Sequence, residues 1–352
     1  MARPDSKTQA AAQMIRKRIL HGDHALHGIP AERPLAEELG ISRQTVRRSL
    51  SLLEKEGVLT RHENGRLDVA TNHASGTRRP IIGFARDSYP SHDNELWTEG
   101  VYAAVEGRNV TVRSMTFEHY GAPQVTAALS GFDALFFLPP AGQIPKWLTD
   151  RMHKSKCRVV VLDQDASAAG LPSLVMFPPQ AESNLMEHLT ELGHRRIDCL
   201  NTQARDLIIE GRIASWQNFL KERGLSGSLF SLTEFHPLES AYQLVRNKLR
   251  AGAAFGPALL CTTALAALGA MRACHEAGLK IGRDISICTV NDEGLGPYLI
   301  PSLTCLRSPL RAVYLRKALD WMLSNREWQG SLVLQPDHVP RFVGESTGPV
   351  PH

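Results

Sequence analysis

Between Ser6 and His21 apolar side chains recur at Ala11, Met14, Ile15 and Ile19, a spacing that predicts one face of a helix. Pro34 to Leu39 reads as a short second helix. Pro34 suits a first turn, where no intrahelical N–H is needed, and Gly40 suits the position just past the end. A third helix follows in GISRQTVRRSL, Gly40 to Leu50. Ser42 is its predicted N-cap, Ile41 and Val46 have the spacing of a hydrophobic staple, and Val46, Leu50 and Leu53 form the buried stripe. Arg43, Gln44, Arg47 and Arg48 then point away from the core, Arg43 stacked over Arg47 and Gln44 over Arg48. After Gly57 the pattern becomes alternating: VLTR and RLDVA read as two short strands around HENG, a tip rich in turn formers. The whole predicts a winged helix-turn-helix over residues 1–70.

ATNHASGTRRP, Ala70 to Pro80, is small, polar and proline-terminated, as linkers are, and residues 71–80 are assigned to one. Beyond it, over 81–352, IIGFA, VTVRSM, ALFFL, RVVVLD, RIDCL, PALLCT and ISICTV read as strands, most of them separated by helical patterns. Continuous apolar strands alternating with helices imply parallel sheets covered on both faces. Seven or more strands over this length fit two such sheets better than one, an α/β body of two Rossmann-like lobes. Chain crossings between the lobes are expected near 176, 305 and 328. Ligands of open α/β sheets bind outside the carboxyl ends of the strands, here the cleft between the lobes.

Charge adds one fact to this picture. The chain carries a formal net charge of +4, and residues 1–79 hold fourteen Lys/Arg against nine Asp/Glu, so the excess lies wholly in the first quarter. That points to a head that binds a polyanion on a near-neutral body. With 43% hydrophobic residues a sizeable core is expected, and no apolar run approaches the roughly 18 residues of a membrane span. The N-terminus shows no signal-peptide core, and the six cysteines, all beyond residue 156 and without a CxxC pair, read as reduced and buried. A cytoplasmic chain is therefore expected. HGDHALH (His21, Asp23, His24, His27) has the look of a metal cluster, but no second ligand group is spaced to complete a tetrahedral site. It reads as a solvated loop, and neither a metal nor a cofactor is expected.

The head, IPAERPLAEELGISRQTVRRSLSLLEKEGVLTRHENGRLDVA, resembles the DNA-binding domain of GntR-type bacterial transcription regulators through its P-x-E-R, A-x-E-L-G-[IV]-S-R-x-T-V-R-R and L-x-x-E-G-x-L-T elements. The resemblance implies that Arg33, Ser42, Arg43, Gln44, Thr45 and Arg47 contact DNA, with the wing tip at His62, Gly65 and Arg66 near the minor groove. Arg and Gln can each grip a base edge with two bonds at once. Ala31 departs from the capping serine usual in the family, and HENGR lacks the second glycine common in the wing.

The body resembles the effector domain of LacI/GalR-type repressors, which has the periplasmic-binding-protein fold. EHLTELGHRRID, GRIASWQNFLKERGL, ALGAMRACHEAGLKIGRDISI, YLIPSLTCLRSP and ESTGP are similar to its successive blocks, in the same order. The resemblance implies an effector pocket that includes Arg212, at the position of the family's sugar-gripping arginine, and Asp87 and Asp163 at strand ends. Asn291 stands where Asp is usual, Thr263 where Asn or Asp is usual, and His236 near the place of an aromatic roof. Trp97 is read either as an aromatic platform or as core. MFPPQ (Met176 to Gln180) and SHDN replace the usual pairs at their positions. With acceptors given up at Asn291 and Thr263, the expected effector is a sugar acid, a modified sugar, or a molecule held weakly, rather than a typical hexose.

No G-x-G-x-x-G, Walker A, H-E-x-x-H or G-x-S-x-G stands in the body. Asp87, Asp163 and Asp292 are read either as general acids or bases, or as hydroxyl acceptors. Without a nucleophile or metal beside them, binding is expected and catalysis is not. The expected protein is a ligand-responsive, sequence-specific regulator. It would be a homodimeric repressor of carbohydrate-related genes acting on a near-palindromic operator, with no membrane partner. The alternatives are an activator of the same architecture and a sugar-binding module without regulatory response.

Overall fold

The structure, a computed structural model, describes residues 6–20, 28–62, 65–69, 79–89, 91–140, 142–232, 236–252 and 255–350. His21, Asp23, His24 and His27 and most of the expected linker lie outside the described residues.

Three helices open the chain: α1 (Ser6–Leu20), α2 (Glu32–Leu39) and α3 (Arg43–Lys55). A two-stranded antiparallel hairpin of β1 (Leu59–Arg61) and β2 (Leu67–Val69) follows, with Thr60 opposite Asp68. Their core gathers Ala12, Ile15 and Ile19 of α1, Leu35 of α2, and Val46, Leu50 and Leu53 of α3. Met14, expected on the buried face, is 43% exposed, and Ala12 packs into the core instead. The closer approach that alanine permits is used where Ser49 of α3 donates its hydroxyl to the Thr8 carbonyl of α1 at 2.9 Å. Helix α2 starts two residues earlier than predicted, with Ala31 as an N-cap that makes no side-chain bond. Gly40 ends it in the left-handed conformation, φ 63°.

The body holds two six-stranded sheets. The first contains β3 (Ile81–Asp87), β4 (Thr111–Phe117), β5 (Ala134–Leu138), β6 (Arg158–Leu162), β7 (Ser173–Leu174) and β13 (Val333–Leu334). Its spatial order is β13-β7-β6-β5-β3-β4, every pair parallel. The second contains β8 (Ile197–Asn201), β9 (Leu229–Ser231), β10 (Ala258–Cys261), β11 (Ser286–Asn291), β12 (Thr304–Leu306) and β14 (Arg341–Phe342). Its order is β14-β12-β11-β10-β8-β9, parallel except for β14.

Alternation along β3 sends Ile81 and Ala85 to one face of the first sheet and Ile82 and Phe84 to the other. On the first face lie α5 (Pro123–Gly131) and α6 (Lys146–Lys154), through Val125, Leu129, Leu148 and Met152. On the second lie α4 (His92–Val105) and α11 (Arg311–Met322), through Trp97, Val101, Leu315 and Leu319. The second sheet is covered by α7 (Ser183–Glu191) and α8 (Leu207–Arg223) on one face, and by α9 (Pro237–Arg250) and α10 (Ala264–Glu276) on the other. Gly83 is required in β3 because the Phe132 ring occupies the place of a Cβ. All six cysteines are buried and unpaired with one another.

The strands missed in the sequence, β7, β9, β12, β13 and β14, are two or three residues long, too short to show a period. That shortness also misplaces the last crossing. Val333 and Leu334 still pair with Ser173 and Leu174 in the first sheet, and the chain reaches the second only at Arg341. The crossing expected near 328 therefore lies between 334 and 341. The other two crossings follow β7 and β12, and the second delivers α11 onto α4 of the opposite lobe.

Candidate functional site: a basic helix face and an interlobe cleft

Helix α3 begins at Ser42, whose hydroxyl accepts the Thr45 N–H at 3.1 Å. Because Val46, Leu50 and Leu53 face the core, Arg43, Gln44, Arg47 and Arg48 are exposed. Two of these arginines are held by one carboxylate of the preceding helix. Glu32 accepts Arg47 Nε at 2.8 Å and Nη2 at 2.7 Å, and Arg43 Nε at 3.0 Å. The two guanidinium groups hold the Glu32 carboxyl down at about 2. Arg33 is exposed and pairs with Glu37 at 3.1 Å. In the hairpin, Asp68 holds His62 at 3.0 Å and Arg66 at 3.3 Å. Gly65, φ 80°, accepts Arg61 Nη1 at its carbonyl. Exposed pairs of this kind contribute about 0–1 kcal/mol each, so a phosphate can displace the carboxylate partner at little cost. The face is basic, rigidly based and already shaped by neighbouring acids.

Between the lobes lies a cleft of about 700 Å³. Its lining includes Asp87, Asp163, Arg212, Thr263 and Asn291, five of the seven residues expected in the effector pocket, while Asp292, the third strand-end acid, is buried and accepts the Gly294 and Gly296 N–H groups instead. Each of the five stands at or just beyond the carboxyl end of a strand or in the first turns of the helix that follows one. Parallel strands put those ends on one side, which is why residues far apart in sequence converge. Trp97 and His236 do not line it. Trp97 is fully buried under the first sheet, with the Arg311 guanidinium 4.5 Å from its ring centroid, so its core reading holds. His236 is the exposed N-cap of α9; the adjacent Pro237 lines the cleft instead.

The five residues differ in what they already hold. Asp87 accepts the Tyr89 N–H at 2.8 Å and the Asn94 amide at 3.2 Å, which shapes the turn after β3. Thr263 caps α10, its hydroxyl accepting the Ala266 N–H at 3.4 Å. Asn291 accepts the Glu293 N–H at 2.9 Å and donates to Asp93 Oδ1 at 3.0 Å, a bond that joins one lobe to the other. Arg212 donates to the Thr262 carbonyl at 2.6 Å and lies 3.8 Å from buried Glu182. Burial pushes the Glu182 carboxyl up to about 7 against the pull of Arg212, and its Oε2 has no hydrogen-bond partner among the described residues. Asp163 makes no side-chain hydrogen bond or ion pair among the described residues. Desolvation, with Asp93 nearby, pushes its carboxyl up to about 7.

Sequence reasoning missed Asp93, Asp206, Glu118, Glu293 and Arg311. Asp93 accepts Arg311 at 2.5 Å while its backbone carbonyl accepts the same guanidinium at 3.0 Å. Asp206 caps α8 through the Ile209 N–H at 2.8 Å. SHDN was visible as a departure from the resembled pattern, and an Asp just before LIIE could be read as a cap. Arg311 lies 218 residues from Asp93, and only the lobe crossing brings them together. The loss of acceptors at Asn291 and Thr263 therefore does not leave the cleft poor in acids. Asp87, Asp93, Glu118, Asp163, Asp206 and Glu293 all line it, against Arg212. Of the three expected effectors, a sugar acid is the one that this excess of acidic groups disfavours.

Residues 7–69 match the family described as bacterial regulatory proteins, gntR family, and residues 186–339 match the periplasmic binding protein-like domain. The HTH-type transcriptional regulator GalR of Streptococcus thermophilus is 29% identical over 159 residues, 44% of this chain and 48% of that protein. The lactose operon repressor of Escherichia coli is 25% identical over 79% of each chain. The chain spans about half the length of most of the curated relatives it matches. A solved lac repressor dimer, bound to operator and an anti-inducer, superposes with a TM-score of 0.64 at 21% identity, over 78% of this chain and 96% of that one. No helix of the described residues is long and apolar enough to cross a membrane.

Proposed function

We propose, from a chain that joins a gntR-type DNA-binding domain to a periplasmic-binding-protein-like domain and whose homologues are LacI/GalR-type transcription regulators, that this protein is itself a ligand-responsive transcription regulator. It represses carbohydrate-related genes in the cytoplasm. The observation that carries this reading is the coexistence on one chain of an exposed arginine face on a capped helix and a polar cleft between two lobes.

The division of labour runs 1–70 for reading DNA, 71–80 as linker, and 81–352 for sensing and dimerisation. Arg43, Gln44 and Arg47 face base edges, Ser42, Thr45 and Arg33 face phosphate, and His62, Gly65 and Arg66 approach the minor groove. Two copies of α3 related by a two-fold axis suit a near-palindromic operator. Tyr298, 84% exposed, and Ile300, 97% exposed, mark an apolar surface suited to the homodimer contact.

The cleft groups act by binding rather than by catalysis. Asp87 is engaged by Tyr89 and Asn94, and Asp93 by Arg311 and Asn291, which suits hydroxyl and ammonium recognition better than proton shuttling. Arg212 and Asp163 contact the effector directly. Closure of the lobes on the effector changes the spacing of the two heads. DNA affinity then shifts by as much as the effector discriminates between the two lobe arrangements, typically about 1–3 kcal/mol.

Selection of bound duplexes from a random library, followed by mobility shifts, tests the reading. A near-palindromic motif is expected, with binding that falls steeply with salt. Arg47→Ala should cost roughly 1–3 kcal/mol and relax specificity at one position of each half-site. Arg212→Ala should keep operator affinity and lose the response to effector. Retention of no duplex by the folded protein rejects the proposal.

A further inference from the structure

We propose that the effector carries a protonated amine: a small hydroxyl-bearing amine, of the amino-sugar kind, seated with its ammonium against Asp163. The inference rests on the reading of the cleft as the effector site, and it adds the ligand's charge.

Six carboxylates line the cleft, from Asp87, Asp93, Glu118, Asp163, Asp206 and Glu293, and the cation among the lining residues is Arg212. Arg212 is committed on two sides, to the Thr262 carbonyl at 2.6 Å and to Glu182 at 3.8 Å. A ligand carboxylate would have to share that guanidinium with Glu182 while facing an excess of acidic groups. A neutral polyol would use the acceptors and leave the charge unopposed. In a cleft with low-dielectric walls a field of one sign is focused and screened weakly, so it selects strongly for a counter-charge.

Most of the acids are occupied. Asp93 holds Arg311 and Asn291, Asp87 holds Tyr89 and Asn94, and Asp206 caps α8. Glu118, which is exposed, and Asp163 make no side-chain bond among the described residues, and Asp163 is the part-buried one. It follows β6 with φ 59° in the left-handed region, lines the cleft, and has no side-chain hydrogen bond or ion pair among the described residues. Asp93 and Asp206 both add negative potential at its carboxyl, and together with desolvation they raise its proton affinity. An ammonium placed there takes the role of that proton: it neutralises the charge and donates three hydrogen bonds. Thr263 and Gln203 supply neutral polar groups for hydroxyls beside it, and Ile208, Ile209 and Pro140 an apolar wall.

The test is calorimetry and thermal shift on the full chain with matched probes of gluco, galacto and manno configuration: hexosamine, N-acetylhexosamine, hexose and hexuronic acid. At least one hexosamine is expected to bind tenfold or more tighter than its N-acetyl and neutral partners, and the uronic acids weakest. Asp163→Asn should shrink the amine-to-neutral ratio by about tenfold or more. Tighter binding of a uronic acid, equal binding of amine and N-acetyl forms, a ratio unchanged in the variant, or no binding of any hexosamine each overturns the inference. Operator binding measured in the same preparation without any probe separates the two readings. Its loss counts against the regulator proposal, whereas intact operator binding without amine selectivity counts against this inference alone.

Discussion

Asp163 concentrates the electrostatics of the cleft in one side chain. Its carboxyl is pushed up to about 7 by desolvation and by Asp93, against the pull of Arg311 and Arg212. In the unfolded chain the same carboxyl titrates near 4. Between those values the folded state keeps a proton that the unfolded state has lost, so stability at this site falls as pH rises from about 4 to about 7. Glu182, raised in the same direction, adds to the slope. Asp163→Asn removes the cost of ionisation. It should stabilise the ligand-free body at pH 8 by on the order of 1–2 kcal/mol and flatten the pH dependence of Tm between 5 and 8. A lowered Tm in a pH-resolved melting series would show that Arg212 and Arg311 outweigh the burial of the charge. At this scale the sequence was informative about residue type and poor about engagement. Asp163 and Asn291 were both legible as strand-end polar groups, yet one has no side-chain bond among the described residues and the other ties the lobes together. Which of the two a polar side chain becomes depends on partners outside its own segment.

Helix α3 shows what an element can disclose by itself. Its cap, its buried stripe and its exposed arginines follow from local rules: an oxygen at Ser42 for an orphan N–H, and a period of about 3.6 residues for the stripe. What those rules leave out is Glu32, a residue of the neighbouring helix that holds Arg43 and Arg47 in place. Its carboxyl lies low enough to stay charged at any working pH. Glu32→Gln should release both guanidinium groups to range over phosphates. The expected result is tighter non-specific binding, a steeper salt slope, and a smaller ratio of operator to random-duplex affinity. Titrations at several salt concentrations measure all three, and an unchanged ratio would show that Glu32 does not orient the reading face. The short strands β7, β12 and β13 illustrate the opposite case. Two or three residues carry no period, and their place in a sheet is decided by the longer strands beside them.

For the molecule as a whole, the decisive contacts are those that cross between lobes. Arg311 opens α11 just after the chain returns from the second sheet, stacks on Trp97 and grips Asp93, while Asn291 reaches the same carboxylate from the other lobe. This three-way junction holds the described arrangement of the cleft. Asn291→Ala removes one neutral-to-charged hydrogen bond, worth about 1.5–3 kcal/mol in general. The ligand-free body should then shift toward a more open arrangement, read as a larger radius of gyration by X-ray scattering, and effector affinity should fall. Unchanged scattering would place the restraint on Arg311 alone.

The chain's pattern alone determined the two-part plan: a helical head with an exposed arginine face, then alternating strands and helices too numerous for one sheet. These follow from local periodicity, from caps and from the uneven spread of charge, all of which are properties of short segments. Tertiary structure decided which acids share a cleft, which arginine is already paired, and therefore the sign of the charge that a ligand must bring. The physical reason is that electrostatic potential sums over groups that are close in space. Asp93 and Arg311 are 218 residues apart in the sequence, yet in the fold they form one ion pair.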